Sequence, residues 1–172
     1  LSEATILLLL VVIVIVFSVI TPAGTFLSVQ NIQSIALSGS QLVILGAGVT
    51  FLLIAGGIDL SVGAVVAFSS VVAAQVMSKL TVGLSGTAII GPVLLGTVLA
   101  VLAGTAWGLI NGLIAVSTKI PPFIVTLATS TIILGLAQVW TGGLNVSGAP
   151  IDLQNAFGLG GVLGIPWPVI AA

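Results

Sequence analysis

Chemistry in this chain starts from one carboxylate. Asp59 stands within Gly56-Gly57-Ile58-Asp59-Leu60-Ser61-Val62-Gly63, between two long apolar runs. An ionised Asp at mid-bilayer costs about 2.5–3.5 kcal/mol on insertion scales, so such a residue normally serves a pathway or a partner. Two roles are open to it. As an N-cap before Leu60-Ser61-Val62 it would accept backbone N–H bonds and complement the positive end of a helix. Gly56, Gly57 and Gly63 would then free the backbone for a sharp turn. In the other role it touches cargo or a partner directly. The roles are compatible, because a broken helix in lipid must line a cavity or be buried in protein.

Few other polar groups join it. Ser61 follows in the same break. Asn111 falls inside a later apolar run and needs a hydrogen-bond partner there, from a neighbouring helix or a water-filled path. Thr126, Ser130 and Gln138 share an i, i+4 register with Leu134 between them. That stripe either lines a route for a hydroxylated solute or turns its hydroxyls back onto its own helix. Gly96, Ala100, Gly104, Gly108 and Gly112 recur every four residues. They predict a small-residue face that lets another backbone approach closely, within the protein or in a dimer.

Much chemistry is excluded. The chain has no Arg, His, Tyr or Cys, so no thiolate nucleophile, disulfide framework or His-ligated metal site is expected. Nothing fits a phosphate-binding GxxxxGK[ST] loop. Without a nucleophile–base pair the chain alone is not an enzyme, and it binds no cofactor of its own. Two lysines cannot neutralise a phosphate backbone, which removes nucleic acid as a partner. Asn145-Val146-Ser147 fits a glycosylation sequon, but a pattern so short arises often by chance. The run from Gly142-Gly143 to Ser147 echoes the run from Gly56-Gly57 to Ser61; the flanks do not align, so the echo reads as coincidence.

These groups must be positioned by elements whose solvent is lipid. Of 172 residues 59% are apolar and 3% charged, where a soluble domain has about a quarter charged. The five charges are Glu3, Asp59, Lys79, Lys119 and Asp152. A helix needs about 20 apolar residues to cross the hydrocarbon core, and the runs are continuous rather than alternating, which excludes barrel strands. The prediction is an all-α polytopic transmembrane helical bundle with about five complete spans plus the start of a sixth. Spans are expected over 4–20, 32–55, 62–77, 88–118 and 123–140. The fourth is about 46 Å long if helical and must tilt, bend or project. Lys119-Ile120-Pro121-Pro122 stops it, and Pro121-Pro122 favours an extended entry into the next helix. Residues 141–166 are rich in Gly, Pro and Asn and carry no long apolar run. Trp167-Pro168-Val169-Ile170 reads as the opening of the sixth span, with Trp140 and Trp167 at one interface.

The segment Gly56 to Gly63, after an apolar helix, resembles the hallmark of ribose-type ABC importer permeases, in the branched-chain amino acid/ribose permease superfamily. Trp107-Gly108-Leu109-Ile110-Asn111-Gly112-Leu113 and Lys119-Ile120-Pro121-Pro122-Phe123-Ile124-Val125-Thr126-Leu127 match that family in order and spacing. Thr141-Gly142-Gly143 and Ile165-Pro166-Trp167-Pro168 also fit. The resemblance implies a single permease region over 1–172, the amino-terminal half of a longer permease. It further implies a multi-pass protein of the bacterial inner membrane that passes a pentose or hexose. The implied partners are a second permease copy or paralogue, a cytoplasmic ABC ATPase that uses ATP and Mg, and an extracytoplasmic sugar-binding protein. By the same analogy the amino terminus, the Asp59 turn and Lys119 face the cytoplasm. A secondary transporter or channel with a broken-helix site around Asp59 is the competing reading. Ion coupling favours paired ionisable residues in the spans, and here Asp59 stands alone.

Overall fold

Among the described residues, five helices are long and apolar enough to cross a membrane. The computed structural model describes residues 2–147, 149–153, 155–156, 160–162 and 164–172. The helices are α1 (Glu3–Ile20), α2 (Val29–Ile54), α3 (Val62–Leu80), α4 (Ile90–Thr118) and α5 (Pro122–Thr141). A 3₁₀ turn, Gly86–Ile89, leads into α4. Beyond α5 come α6 (Ile151–Leu153), a two-stranded ladder of β1 (Gly161–Val162) and β2 (Ile165–Pro166), and α7 (Trp167–Ala171). The Gly/Pro-rich stretch thus holds short elements that its composition did not predict. Gly148, Gln154, 157–159 and Leu163 in it lie outside the described residues.

Contacts cluster into two units, Leu1–Ile44 with Phe157–Ala172, and Leu45–Ala156. In the first, α1 buries none of its residues. Leu8, Val11 and Ile15 stay exposed, which suits lipid and would not suit water. Ser28 caps α2, its hydroxyl accepting the Asn31 N–H at 3.2 Å. Asn31 in turn donates to the Phe26 carbonyl at 2.7 Å. β1 and β2 pair antiparallel, Val162 opposite Ile165, and Gln33 Nε2 donates to Gly164 O at 2.8 Å.

The second unit is built on α3, α4 and α5. The pairs Met77–Gly96, Ser69–Gly104 and Ser61–Asn111 run in opposite directions along α3 and α4, so these helices are antiparallel neighbours. A Cβ on Gly96 would lie 3.0 Å from Met77 Cγ and 3.2 Å from the Ala73 carbonyl. Such close backbone approach is what drives packing where lipid is as apolar as the side chains. Phe68 of α3 meets Trp107 of α4 edge-on and Trp140 of α5 at a tilt, each with ring centroids 6.1 Å apart. Along α5 the buried positions are Val125, Thr126, Thr129, Ile133 and Ala137.

The helix ends follow local chemistry. At the close of α2, Gly56 takes φ +77°, its N–H bonding Leu53 O while Gly57 N–H bonds Leu52 O, both at 3.0 Å. That is a Schellman termination, which needs the left-handed conformation glycine adopts cheaply. Gly142 and Gly143 end α5 in the same way, bonding Val139 O and Gln138 O. The echo between the two sequences is therefore a shared way of stopping a helix. Lys119, at φ 58°, makes the left-handed turn after α4. Ile120 precedes Pro121 and is pushed toward extended backbone, so the reversal falls on Lys119. Pro121 is extended and Pro122 opens α5.

Candidate functional site at the helix break

The break between α2 and α3 is held by side chains rather than by its glycines alone. Asp59 Oδ1 accepts the Ser61 N–H and the Ser61 hydroxyl, each at 2.6 Å. The first bond closes an Asx turn, which a short carboxyl side chain makes with the backbone two residues on. The N-cap of α3 is Ser61, not Asp59, and makes no side-chain cap bond. The cap reading is therefore corrected: the carboxyl group folds the turn that delivers the chain to the helix. Gly63 is also displaced from its expected role, because it lies inside α3.

Ser61 is the hub. It is fully buried, and its single hydroxyl proton goes to Asp59. Its oxygen therefore accepts, and Asn111 Nδ2 of α4 donates to it at 2.9 Å. That donation fixes the orientation of the Asn111 amide. The other end of the amide is left over: Asn111 Oδ1 is buried with no hydrogen-bond partner among the described residues. An unmet buried acceptor costs about 1–3 kcal/mol.

Thr126 closes the assembly from α5. Its hydroxyl oxygen accepts the Leu60 N–H at 3.0 Å. Its proton has two acceptors in range, Phe123 O at 3.3 Å and Ile58 O at 3.5 Å, and serves one at a time. The break after α2, the start of α3, the last third of α4 and the first turns of α5 thus meet through four polar side chains. A cavity of about 260 Å³ opens beside them, walled by Leu52, Asp59, Gly108, Gly112, Val116 and Thr126.

The structure sorts the remaining candidates. Gly57 is buried, with a would-be Cβ 3.3 Å from Leu52 Cδ1. Gly104 faces Ser69 Oγ, 3.2 Å from a would-be Cβ, and Ala100 lines a shallow groove with it. Gly108 and Gly112 have nothing within 4 Å of a would-be Cβ. Within this chain these two positions border the cavity beside the break rather than a closely packed backbone. The polar stripe on α5 divides as well. Thr126 joins the break, Ser130 donates to Leu127 O at 2.7 Å, and Gln138 lines a different cavity. The buried register of α5 starts one residue earlier, at Val125, and brings in Thr129, whose hydroxyl bonds Val125 O at 3.0 Å. Sequence reasoning missed Thr129, since both registers alternate similar residues and only packing against α3 and α4 chooses between them.

Charged groups elsewhere sit at element ends. Lys79 lies in the last turn of α3. Asp152 is exposed and accepts the Gly86 N–H at 3.2 Å.

Comparison with known proteins follows the same segments. The family described as branched-chain amino acid transport system / permease component matches residues 31–158. A D-allose transport system permease protein of Escherichia coli is 38% identical over 94% of this chain and 46% of its own length. A ribose import permease protein of Haemophilus influenzae is 36% identical over 93% of this chain and 47% of its own. An L-arabinose ABC transporter permease protein of Azospirillum brasilense is 36% identical over 84% of this chain and 39% of its own. The chain spans about half the length of the curated relatives it matches. No solved structure matches it.

Proposed function

Because the chain belongs to the branched-chain amino acid transport system / permease component family, we propose that it is part of the permease subunit of an ATP-driven ABC importer for a neutral sugar of the pentose or hexose class, in the bacterial inner membrane. The observation that carries the sugar reading is that the relatives matched over most of this chain are permeases named for D-allose, ribose and L-arabinose. The polar groups fit such cargo. Asn111, Thr126 and Gln138 bring amides and a hydroxyl to the cavity walls, which suit a neutral solute better than an ion.

On this reading a second copy or paralogue completes the membrane channel. A cytoplasmic ABC ATPase consumes ATP with Mg, and an extracytoplasmic binding protein delivers the sugar. The chain contributes a pathway and no bond-making step. The Asp59 turn and Lys119 face the cytoplasm, and Trp140 and Asp152 face outward. Alternating access requires elements that move as blocks between two packings. The Asp59–Ser61–Asn111 and Thr126–Leu60 bonds make the break, α4 and α5 one block at its inner end.

The test is uptake of labelled pentoses and hexoses by the full-length permease reconstituted with its ATPase and binding protein. ATP-dependent accumulation of one sugar is expected. Accumulation driven by an ion gradient without ATP would overturn the importer reading in favour of a secondary transporter built on Asp59.

A further inference from the structure

At the opposite end of α5 from Thr126 lies a second cavity, of about 370 Å³, that the helix break does not reach. Its walls are one face of α3, carrying Ala67, Ser70 and Ala74, and one face of α5, carrying Gln138 and Thr141; the loop with Asn145 forms its rim. Each wall follows an i, i+3, i+4, i+7 spacing, so the lining is one stripe from each helix. Small residues hold the space open. Its size lies within the ~300–1,000 Å³ typical of small-molecule clefts.

The hydrogen-bonding capacity of this lining is specific. Ser70 Oγ donates to Val66 O at 2.8 Å, and Thr141 Oγ1 to Gln138 O at 3.3 Å. Both hydroxyl protons are spent on backbone, so both oxygens present only lone pairs to the cavity. The Gln138 and Asn145 amides have no side-chain hydrogen bond among the described residues, and each offers both donors and an acceptor. Among the described residues, no ionisable side chain lines the cavity. A neutral ligand whose O–H groups both donate and accept meets all of these groups at once. We infer that this cavity is a binding chamber for a neutral polyol on the Trp140 side of the protein, with Gln138 and Asn145 as its principal contacts.

The inference rests on the sugar-permease reading and adds a place for the cargo. It is tested in the full-length permease with its partners in nanodiscs, with any other cysteines removed and Ala74→Cys introduced. The probe is whichever of D-ribose, D-allose and L-arabinose the complex imports. A water-soluble thiol reagent should modify Cys at this position, and the sugar should slow modification. Gln138→Leu in that background should raise the half-protecting sugar concentration about two- to tenfold, the loss of one hydrogen bond of about 0.5–1.5 kcal/mol. Asn145→Ala, on the exposed loop, should do the same and stands in if Gln138→Leu does not assemble. No modification, no protection, or an unchanged half-protecting concentration in a complex that still imports sugar overturns the chamber alone. A wild-type complex that imports no sugar with ATP overturns the reading beneath it.

Discussion

Removing the Asn111 side chain should harm this protein less than removing the hydroxyl it binds. Ser61→Ala deletes the acceptor of Asn111 Nδ2 and one of the two donors to Asp59 Oδ1. It leaves the Asn111 amide buried with neither end partnered by the described residues. Leaving a buried donor unmet costs about 1–3 kcal/mol, which is the destabilisation expected. Asn111→Leu loses the same interhelical bond, for which measurements in membrane proteins average about 0.6 kcal/mol. It also removes the stranded Oδ1, whose burial costs about 1–3 kcal/mol. The Asx turn and the Ser61–Asp59 bond survive, and the adjacent cavity admits a branched side chain of similar shape. The net expectation for Asn111→Leu runs from neutral to about 2 kcal/mol more stable. Reversible unfolding of the two variants and the double variant in mild detergent measures this directly. If Asn111→Leu proves as destabilised as Ser61→Ala, the orphaned acceptor is not present in the native protein and the reasoning fails. A polar residue kept at a net cost would point to transport. Asn111→Leu should therefore lower uptake although the protein is no less stable.

Three further outcomes are expected. Gly96→Val should destabilise by about 1–3 kcal/mol, because its Cβ meets Met77 and the Ala73 carbonyl, whereas Gly108→Ala should be neutral or gain up to about 1 kcal/mol of helix propensity; unfolding midpoints separate them. Thr126→Val strands the Leu60 N–H and should cost about 1–3 kcal/mol, with Thr126→Ser restoring most of it in the same assay. Asp59→Asn keeps an acceptor for the Ser61 N–H and should retain assembly better than Asp59→Ala, while Asp152→Ala, at an exposed contact, should be mildest of the three by expression and uptake.

Much of the architecture was legible because lipid leaves little choice. A backbone in hydrocarbon must satisfy its own hydrogen bonds, so each long apolar run had to be a helix. α1 to α5 fall within a few residues of the runs read from composition. Pro121-Pro122 stopped one helix and began the next for reasons internal to proline. Gly56-Gly57 and Gly142-Gly143 carried the information for two Schellman ends, since the left-handed turn favours glycine. Asp59 stood out on charge alone.

The partnerships did not follow from the sequence, because side-chain spacing says which residues share a face and not what that face meets. The five small residues of α4 look equivalent along the chain. Only the position of α3 makes Gly96 and Gly104 sites of close approach and leaves Gly108 and Gly112 beside a cavity. Asp59 looked like a cap until the helix began two residues later, behind Ser61. That Ser61 joins Asp59 to Asn111 fifty residues away, and that Thr126 and Gln138 open onto different cavities, are consequences of how α3, α4 and α5 meet. The residue types therefore determined a membrane helix bundle with one polar break, through local backbone chemistry. Tertiary packing decided which polar groups the break gathers, because long-range contacts pair faces that the sequence leaves equivalent.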